Sequence, residues 1–332
     1  MNDTIKSKCD LMVQNREIVK KASWGEYGLT RSASAAVGAC AGRTLDEARI
    51  KECNKILKKR KGIFSSFRGY SKLLITTKMS LADDPADYLD KAIEIYDKLL
   101  KGKIFSSEHH ALAALSIVDT GMYDRADAIV EKSRSLFSAM QSKHPFLTSA
   151  EDTALVTLMA MTDKSTDSIL SEVETAFECL KDKFKFHANA VYGLSQVLVI
   201  QNGDIRANCQ KAITLYDQMR KRGIKYGKEY ELPSLGTLIN LDISNDEVIS
   251  NIADISNYLK KQKGFSSLHM DKQMRMMFGS MLLANTYTSA ESAQMSATIA
   301  GAISTAIVEE IAMMITIMII CSSTSAASSS SN

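Results

Sequence analysis

The fold of this chain is decided by residues 105–145, which read FSSEHHALAALSIVDTGMYDRADAIVEKSRSLFSAMQSKHP. A serine pair, which suits the N-terminal cap of a helix, precedes an apolar run over residues 111–118. A break containing Asp and Gly follows, and a second, amphipathic run ends in the basic residue Lys143. This order of signals predicts two α-helices joined by a short turn. The stretch is therefore predicted to form one helical hairpin.

The same unit recurs along the chain with a period of about 40 residues. One aromatic marker starts each copy, and successive markers lie 39–41 residues apart. A second aromatic marker falls in the later half of the copies, at spacings of 39–42 residues. The first series is Trp24, Phe64, Phe105, Phe146, Phe186, Tyr226 and Phe265, and the second is Tyr96, Phe137, Phe177, Tyr216 and Tyr258. Two series with one period are typical of stacked repeats.

The repeat predicts one all-α domain over residues 1–321, an α-solenoid of about seven αα-hairpins that can curl toward an α/α toroid. Residues 1–23 are predicted to form an N-terminal helix, and residues 322–332 a disordered Ser/Ala tail. The hairpins are predicted at about 24–61, 64–102, 105–143, 146–183, 186–222, 226–262 and 265–321.

Packing and capping expectations follow from this register. We expect five of the aromatic markers to be largely buried between repeats, namely Phe105, Phe146, Tyr96, Phe137 and Tyr216. Thr44 with Glu47, and Ser244 with Glu247, have the spacing of a capping box. Each pair therefore predicts the start of a helix.

The composition is that of a folded, helical protein. Apolar residues make up 45% and charged residues 24% of the chain, which excludes a disordered class. The net charge of +3 is too small to indicate nucleic-acid binding by itself. The 6 cysteines lack CxxC spacing, and the N-terminus lacks the apolar core of a signal peptide. We therefore expect reduced thiols and a cytoplasmic location.

The apolar run 297–321 is interrupted by Glu309 and Glu310. A membrane-spanning helix needs about 20 apolar residues, and a carboxylate within such a helix is costly. We therefore expect a buried terminal helix. Two alternatives stay open: packing of this helix against a second copy of the chain, and membrane association.

Three segments resemble an uncharacterised bacterial family, domain of unknown function 4003. They read GIFSSFRG at 62–69, HPFLTS at 144–149 and GKEYELPSLG at 227–236. The resemblance covers nearly the whole chain and implies a bacterial, cytoplasmic, helical protein. It transfers no activity and no catalytic residues.

Basic residues gather where the second helix of each hairpin ends, at the edge where the first helices begin. One interpretation is an anion-binding edge for phosphate, nucleotide, nucleic acid or an acidic protein surface. The other is that these cations complement helix dipoles, at about 0.3–1 kcal/mol each. The second interpretation is simpler because it also explains the aspartates at the opposite edge. The anion-binding candidates are Arg60, Lys61, Lys103, Lys185, Arg222, Lys225 and Lys263.

A second polar set follows the aromatic markers by four to six positions, in the first turns of successive helices. It contains Arg68, His109, His110, Glu151, Asp152, Tyr230, Glu231 and His269, with His187 and Asn189 from the fifth copy. On a curled solenoid these groups could converge, and histidine with carboxylates can hold a divalent metal or act as acid and base. The simpler interpretation is ordinary polar decoration of helix N-termini. The catalytic candidates are Arg68, His109, His110, Asp152 and Glu231. No metal site is predicted, because no HExxH or other ligand signature is present.

From these patterns we expect a non-enzymatic interaction protein with protein partners, since stacked hairpins expose a long surface. The alternative is an enzyme or small-ligand receptor whose polar site is built from the first-turn residues. A weaker alternative is membrane association through 297–321. We expect no cofactor, because phosphate-loop, dinucleotide and GxSxG signatures are absent. An anionic ligand and a homodimer through 297–321 remain hypotheses, whereas nucleic acid and membranes are disfavoured as partners.

Overall fold

The computed structural model describes residues 1–23, 25–62, 65–101, 107–201, 203–287, 306–307 and 309–310. Over these residues the chain is all-α and forms no β-strand. The α-helices are α1 (Asp3–Ala22), α2 (Gly28–Cys40), α3 (Glu47–Arg60), α4 (Lys72–Leu81), α5 (Pro85–Leu100), α6 (Glu108–Asp119), α7 (Ala126–Lys143), α8 (Thr153–Ala160), α9 (Thr166–Leu180), α10 (Ala188–Ile200), α11 (Ile205–Lys221), α12 (Asn245–Lys260) and α13 (Lys272–Tyr287). Short 3-10 helices cover Tyr123–Arg125, Ala150–Asp152 and Leu232–Leu238.

Local capping explains where several helices begin. The predicted capping box of Ser244 and Glu247 is confirmed at the start of α12, where both reciprocal contacts form. The box predicted at Thr44 is wrong, because α3 begins later and is capped by Asp46, whose carboxylate accepts from the Arg49 N–H at 2.7 Å. A carboxylate one residue before the helix satisfies the same orphan donors.

The elements form two layers. The inner layer consists of helices that are buried nearly all round, as expected for elements covered on every side. It contains α2, α4, α6, α8, α10, the 3-10 helix Leu232–Leu238 and α13. The outer layer contains α1, α3, α5, α7, α9, α11 and α12, whose buried residues fall on one face. Each of α1, α3, α5, α7, α9 and α12 packs closely on the inner element that follows it. The N-terminal helix is thus the first member of the outer layer.

The two ends of the described helices meet. Helix α1 packs against α12 and α13, and α2 packs against α13. Asn2 Nδ2 lies 2.6 Å from the Tyr287 hydroxyl, and Lys8 Nζ lies 2.6 Å from Asn285 Oδ1. Because inner elements also contact their neighbours in sequence order, the inner layer closes into a ring.

The burial prediction for the aromatic markers is partly right. Tyr96 and Tyr216 are buried, which confirms the prediction for them, and Phe137 is half-buried. Phe146 is 95% exposed, so the prediction for it is wrong. The loop turns so that its neighbour Leu147 packs against the core instead. Phe105 lies outside the described residues.

A short helical segment near the C-terminus is buried against the inner layer. Ala306, Ile307, Glu309 and Glu310 are each at most 5% exposed. This agrees with the expectation of a buried terminal helix at these four positions. The rest of the predicted helix 297–321 and the predicted tail 322–332 lie outside the described residues. Across the described ranges, no helix has both the length and the apolar character needed to cross a membrane.

Candidate functional site

A cavity of about 410 Å³ opens at the end of the inner layer where α8 and α10 begin. Its walls come from the segments preceding these helices, from the start of the 3-10 helix Leu232–Leu238 and from the C-terminal segment. The lining residues are Phe146, Leu147, Ser149, Glu151, Asp152, Leu155, Phe186, His187, Ala188, Asn189, Ala190, Gly193, Glu229, Tyr230, Pro233, Ile307 and Glu310. The volume is within the range of small-molecule sites, about 300–1,000 Å³.

Two phenylalanines stand at the mouth of this cavity. Phe146 is 95% exposed and Phe186 is fully exposed, although both contribute to its lining. Phe186 also has a positive φ of 70°, the one such non-glycine residue among those described. Backbone strain of this kind costs about 1–3 kcal/mol and is concentrated at functional sites.

Asp152 is held rigidly at one wall of the cavity. Its carboxylate accepts from the Ser149 N–H at 2.8 Å and from Gln196 Nε2 at 2.6 Å. Burial raises the pKa of Asp152 to about 6, although both hydrogen bonds oppose that rise. The carboxyl group therefore titrates near neutral pH in a fixed orientation.

Glu310 brings a second carboxyl group to the cavity, and this one is fully buried. It is 1% exposed, and Oε1 is hydrogen-bonded to His109 Nδ1. Burial raises the pKa of Glu310, although His109 offsets part of the rise. Burial alone would lower the pKa of His109, but the adjacent Glu310 carboxylate outweighs it and the net shift is upward. Glu310 Oε2 is buried, and no residue that the structure describes is hydrogen-bonded to it. A buried carboxylate oxygen left unpaired is costly.

The remaining charges at the cavity are mostly negative. Glu151 and Glu229 add two carboxyl groups, and the Oε1 atom of Glu229 lies 2.9 Å from His187 Nδ1. Four carboxyl groups therefore face one imidazole, and the described lining residues include no lysine or arginine. The cavity is acidic.

A buried ionic cluster anchors the C-terminal segment beside the cavity. Lys78 Nζ lies 2.5 Å from both Glu309 Oε2 and Asp119 Oδ2. The Tyr88 hydroxyl donates to Asp119 Oδ1 at 2.6 Å. Burial raises the pKa of Glu309 to about 7, against the opposing charge of Lys78. These contacts fix the neighbouring Glu310 in position.

Comparison with known proteins identifies the family of the chain but no activity. A family described as a protein of unknown function (DUF4003) matches residues 15–322. The chain belongs to this family. No curated protein and no solved structure is measurably similar to the chain.

In this DUF4003 member, part of the predicted polar set converges. Asp152 lines the cavity, as do other first-turn residues of the set, which are Glu151, His187, Asn189 and Tyr230. His109 reaches the cavity only through Glu310. Glu231 is buried beside Gly227 and does not line the cavity.

Three further members of the set are engaged elsewhere. Arg68 Nη1 donates to the Lys61 carbonyl at 3.2 Å. His110 Nδ1 lies 2.6 Å from Ser107 Oγ, and exposed His269 contacts Ser266. None of the three lines the cavity: Arg68 and His269 contact residues of their own loops, and His110 contacts the residue that precedes α6.

The candidate residues of the predicted anion-binding edge differ in the contacts that they make. Arg60 pairs with an aspartate of α5, and Arg222 pairs with Asp246 of α12. Lys61 lies over the Phe67 and Tyr96 rings. Three further candidates, Lys185, Lys225 and Lys263, are exposed, and Lys103 lies outside the described residues.

The described lining residues supply mainly carboxyl groups to the site. Within the described part of the chain, no three His, Cys, Asp or Glu side chains are arranged to hold a metal ion. The sequence prediction missed Glu310 as a site residue. The available signal was the glutamate pair inside an apolar run, since buried carboxylates require partners.

Proposed function

We propose that this protein binds a small polar molecule in the cavity between α8, α10 and the C-terminal segment. The observation that carries the proposal is a ligand-sized space of about 410 Å³ toward which Asp152 and Glu310 converge. A concave site with a few oriented polar groups and shifted pKa values is the usual form of a ligand site.

The mouth of the cavity supports the same proposal. Phe146 and Phe186 expose whole aromatic side chains to solvent at this one opening. Exposed aromatic rings beside a pocket are typical of surfaces that contact a ligand. The positive φ of Phe186 is energetically unfavourable, and a role in ligand binding would explain why the backbone adopts it.

A thermal-shift screen tests this function. The full chain is unfolded in the presence of small polar metabolites, both charged and neutral. A ligand at 100 times its Kd raises the unfolding free energy by about 2.7 kcal/mol. We expect at least one compound to raise Tm, and we expect Ala188→Trp to abolish that rise. Ala188 is an exposed lining residue, so a larger side chain there fills the cavity without disturbing the core.

Ala128→Trp is the matched control, because Ala128 is exposed in the first turn of α7, in the outer layer. This variant should keep the ligand-induced rise in Tm. An equal rise in wild type and Ala188→Trp would place binding outside the cavity and refute the proposal.

A second candidate is the interaction protein expected from the sequence, and it is supported by a different set of exposed side chains. Leu268 is 94% exposed, and Tyr27 and Tyr70 are exposed and contact each other edge to face. None of the three lines the cavity. Capture of one defined partner by wild type but not by Leu268→Ser would favour this candidate. Equal capture by both proteins would count against it.

A further inference from the structure

The charge of the cavity specifies the class of ligand, and this step rests on the proposed function above. We propose that the ligand is a small organic cation, an amine or quaternary ammonium compound, whose charged nitrogen pairs with Glu310 Oε2 between the Phe146 and Phe186 rings.

Glu310 Oε2 is the first reason. The side chain is 99% buried and lines the cavity, and among the described residues none is hydrogen-bonded to this oxygen. Its other oxygen is already bonded to His109. A protonated amine in the cavity would donate to the free oxygen in a charge-assisted hydrogen bond, which is about twice as strong as a neutral one. A quaternary ammonium group has no N–H, so it would pair with the carboxylate through charge alone.

The balance of charge is the second reason. The described lining residues carry four carboxyl groups and one histidine. A protonated His187 would offset the charge of Glu229, and His109 offsets that of Glu310. Glu151 and Asp152 still leave an excess of negative charge. Such a site repels anionic ligands and gives no counter-charge for phosphate or carboxylate.

The exposed Phe146 and Phe186 rings at the mouth of the cavity are the third reason, and they favour an organic cation. A cation over the face of an aromatic ring gains electrostatic attraction, and aromatic cages are the usual receptors of quaternary ammonium groups. The described residues provide no set of three metal ligands. The volume also exceeds that of a bare ion.

Isosteric probes separate charge from shape. Choline is compared with 3,3-dimethyl-1-butanol, in which carbon replaces the charged nitrogen. Putrescine is compared with 1,4-butanediol and succinate, which have the same four-carbon length. We expect the cations to bind at least about tenfold more tightly than their neutral counterparts by calorimetry, and succinate to give no binding.

Variants assign the contact to named side chains. We expect Glu310→Gln to weaken cation binding by at least about tenfold, whereas Glu229→Gln, at the exposed edge of the same cavity, should change it less than about threefold. Phe186→Leu should weaken it about two- to fivefold without affecting folding, because its ring is fully exposed. This variant keeps the test valid if Glu310→Gln does not fold.

The two proposals fail in different ways. If a neutral probe binds as tightly as its cationic isostere and Ala188→Trp abolishes both, the cavity binds ligands but the cation assignment is wrong. If neither the probes nor the wider screen give any binding that Ala188→Trp removes, both proposals are wrong.

Discussion

Glu309 Oε2 lies 2.5 Å from Lys78 Nζ, so the C-terminal segment is tied by an ion pair to α4, the second helix of the inner layer. Both side chains are almost completely buried. The same lysine contacts Asp119 at the end of α6. One cation therefore holds three parts of the chain together, and it positions Glu310 at the cavity.

Removal of this cation should be strongly destabilising. Lys78→Met leaves the buried Glu309 without its counter-charge, which costs about 3–5 kcal/mol, and it also removes one partner of the half-buried Asp119. Lys91→Met is the control, because Lys91 pairs with Asp87 on the surface of α5 and such pairs are worth about 0.3–0.5 kcal/mol. Urea denaturation measures both. Equal stability of the two variants would contradict the buried cluster.

Stability should fall as pH rises from about 4.5 to about 7. Burial raises the pKa of Glu309 from 4.5 in the unfolded chain to about 7, so the folded state holds more protons in this window. The free energy of unfolding then decreases with rising pH, by on the order of 1–3 kcal/mol for this group. Asp152, raised to about 6, acts with the same sign.

Glu309→Gln should reduce this pH dependence, because the amide does not titrate and still accepts from Lys78. Glu94→Gln is the control, since Glu94 lies on the surface and its pKa is lowered by its hydrogen bond to Lys98. Thermal unfolding at several pH values gives the slopes. If the stability of Glu309→Gln changes with pH as steeply as that of the wild type, Glu309 is not the titrating group.

Ring closure can be tested at Gly264. Its φ is +84°, and a Cβ there would lie 1.8 Å from Arg16 Nη1, whose guanidinium packs over the Phe265 ring. Gly264→Ala should cost about 1–2 kcal/mol from the backbone alone and should also displace Arg16. Gly62→Ala is the control, since no atom of the described residues beyond its chain neighbours lies within 4 Å of the added Cβ, and its φ is not positive. Chemical denaturation should separate the two variants, and an equal effect would contradict this packing.

The C-terminal segment should be required for stability. A chain ending at Tyr287 loses Glu309 and Glu310, which leaves His109 and one side of Lys78 unpaired. We expect a loss of at least about 3 kcal/mol, visible as a lower Tm. A chain ending at Cys321 should unfold like the full chain. If the shorter chain is as stable as the longer one, the segment does not pack as described.

The all-α class could be predicted from the sequence because helical periodicity and helix-capping residues are local signals. The aromatic side chain that is buried at each loop could not be predicted, because residues in loops have no fixed period. The marker Phe186 is exposed, while Phe184, two residues earlier, packs edge to face on Tyr216 with ring centroids 4.9 Å apart. Phe67 packs on Tyr96 in the same way.

The site could be predicted only where neighbouring repeats supply it. Asp152 and Tyr230 occupy matching first-turn positions, so the repeat indicated that they share one edge. Glu310 comes from the far end of the chain and meets His109 only after the ring closes. A contact between residues so far apart in the chain produces no characteristic spacing in the sequence, so it could not be predicted.

A crystal structure of the full chain with choline tests the central claim most directly. The account predicts the quaternary nitrogen beside Glu310 Oε2, with the Phe146 and Phe186 rings against its methyl groups. A cavity without choline, in which Glu310 Oε2 is hydrogen-bonded to another group of the protein, would contradict it.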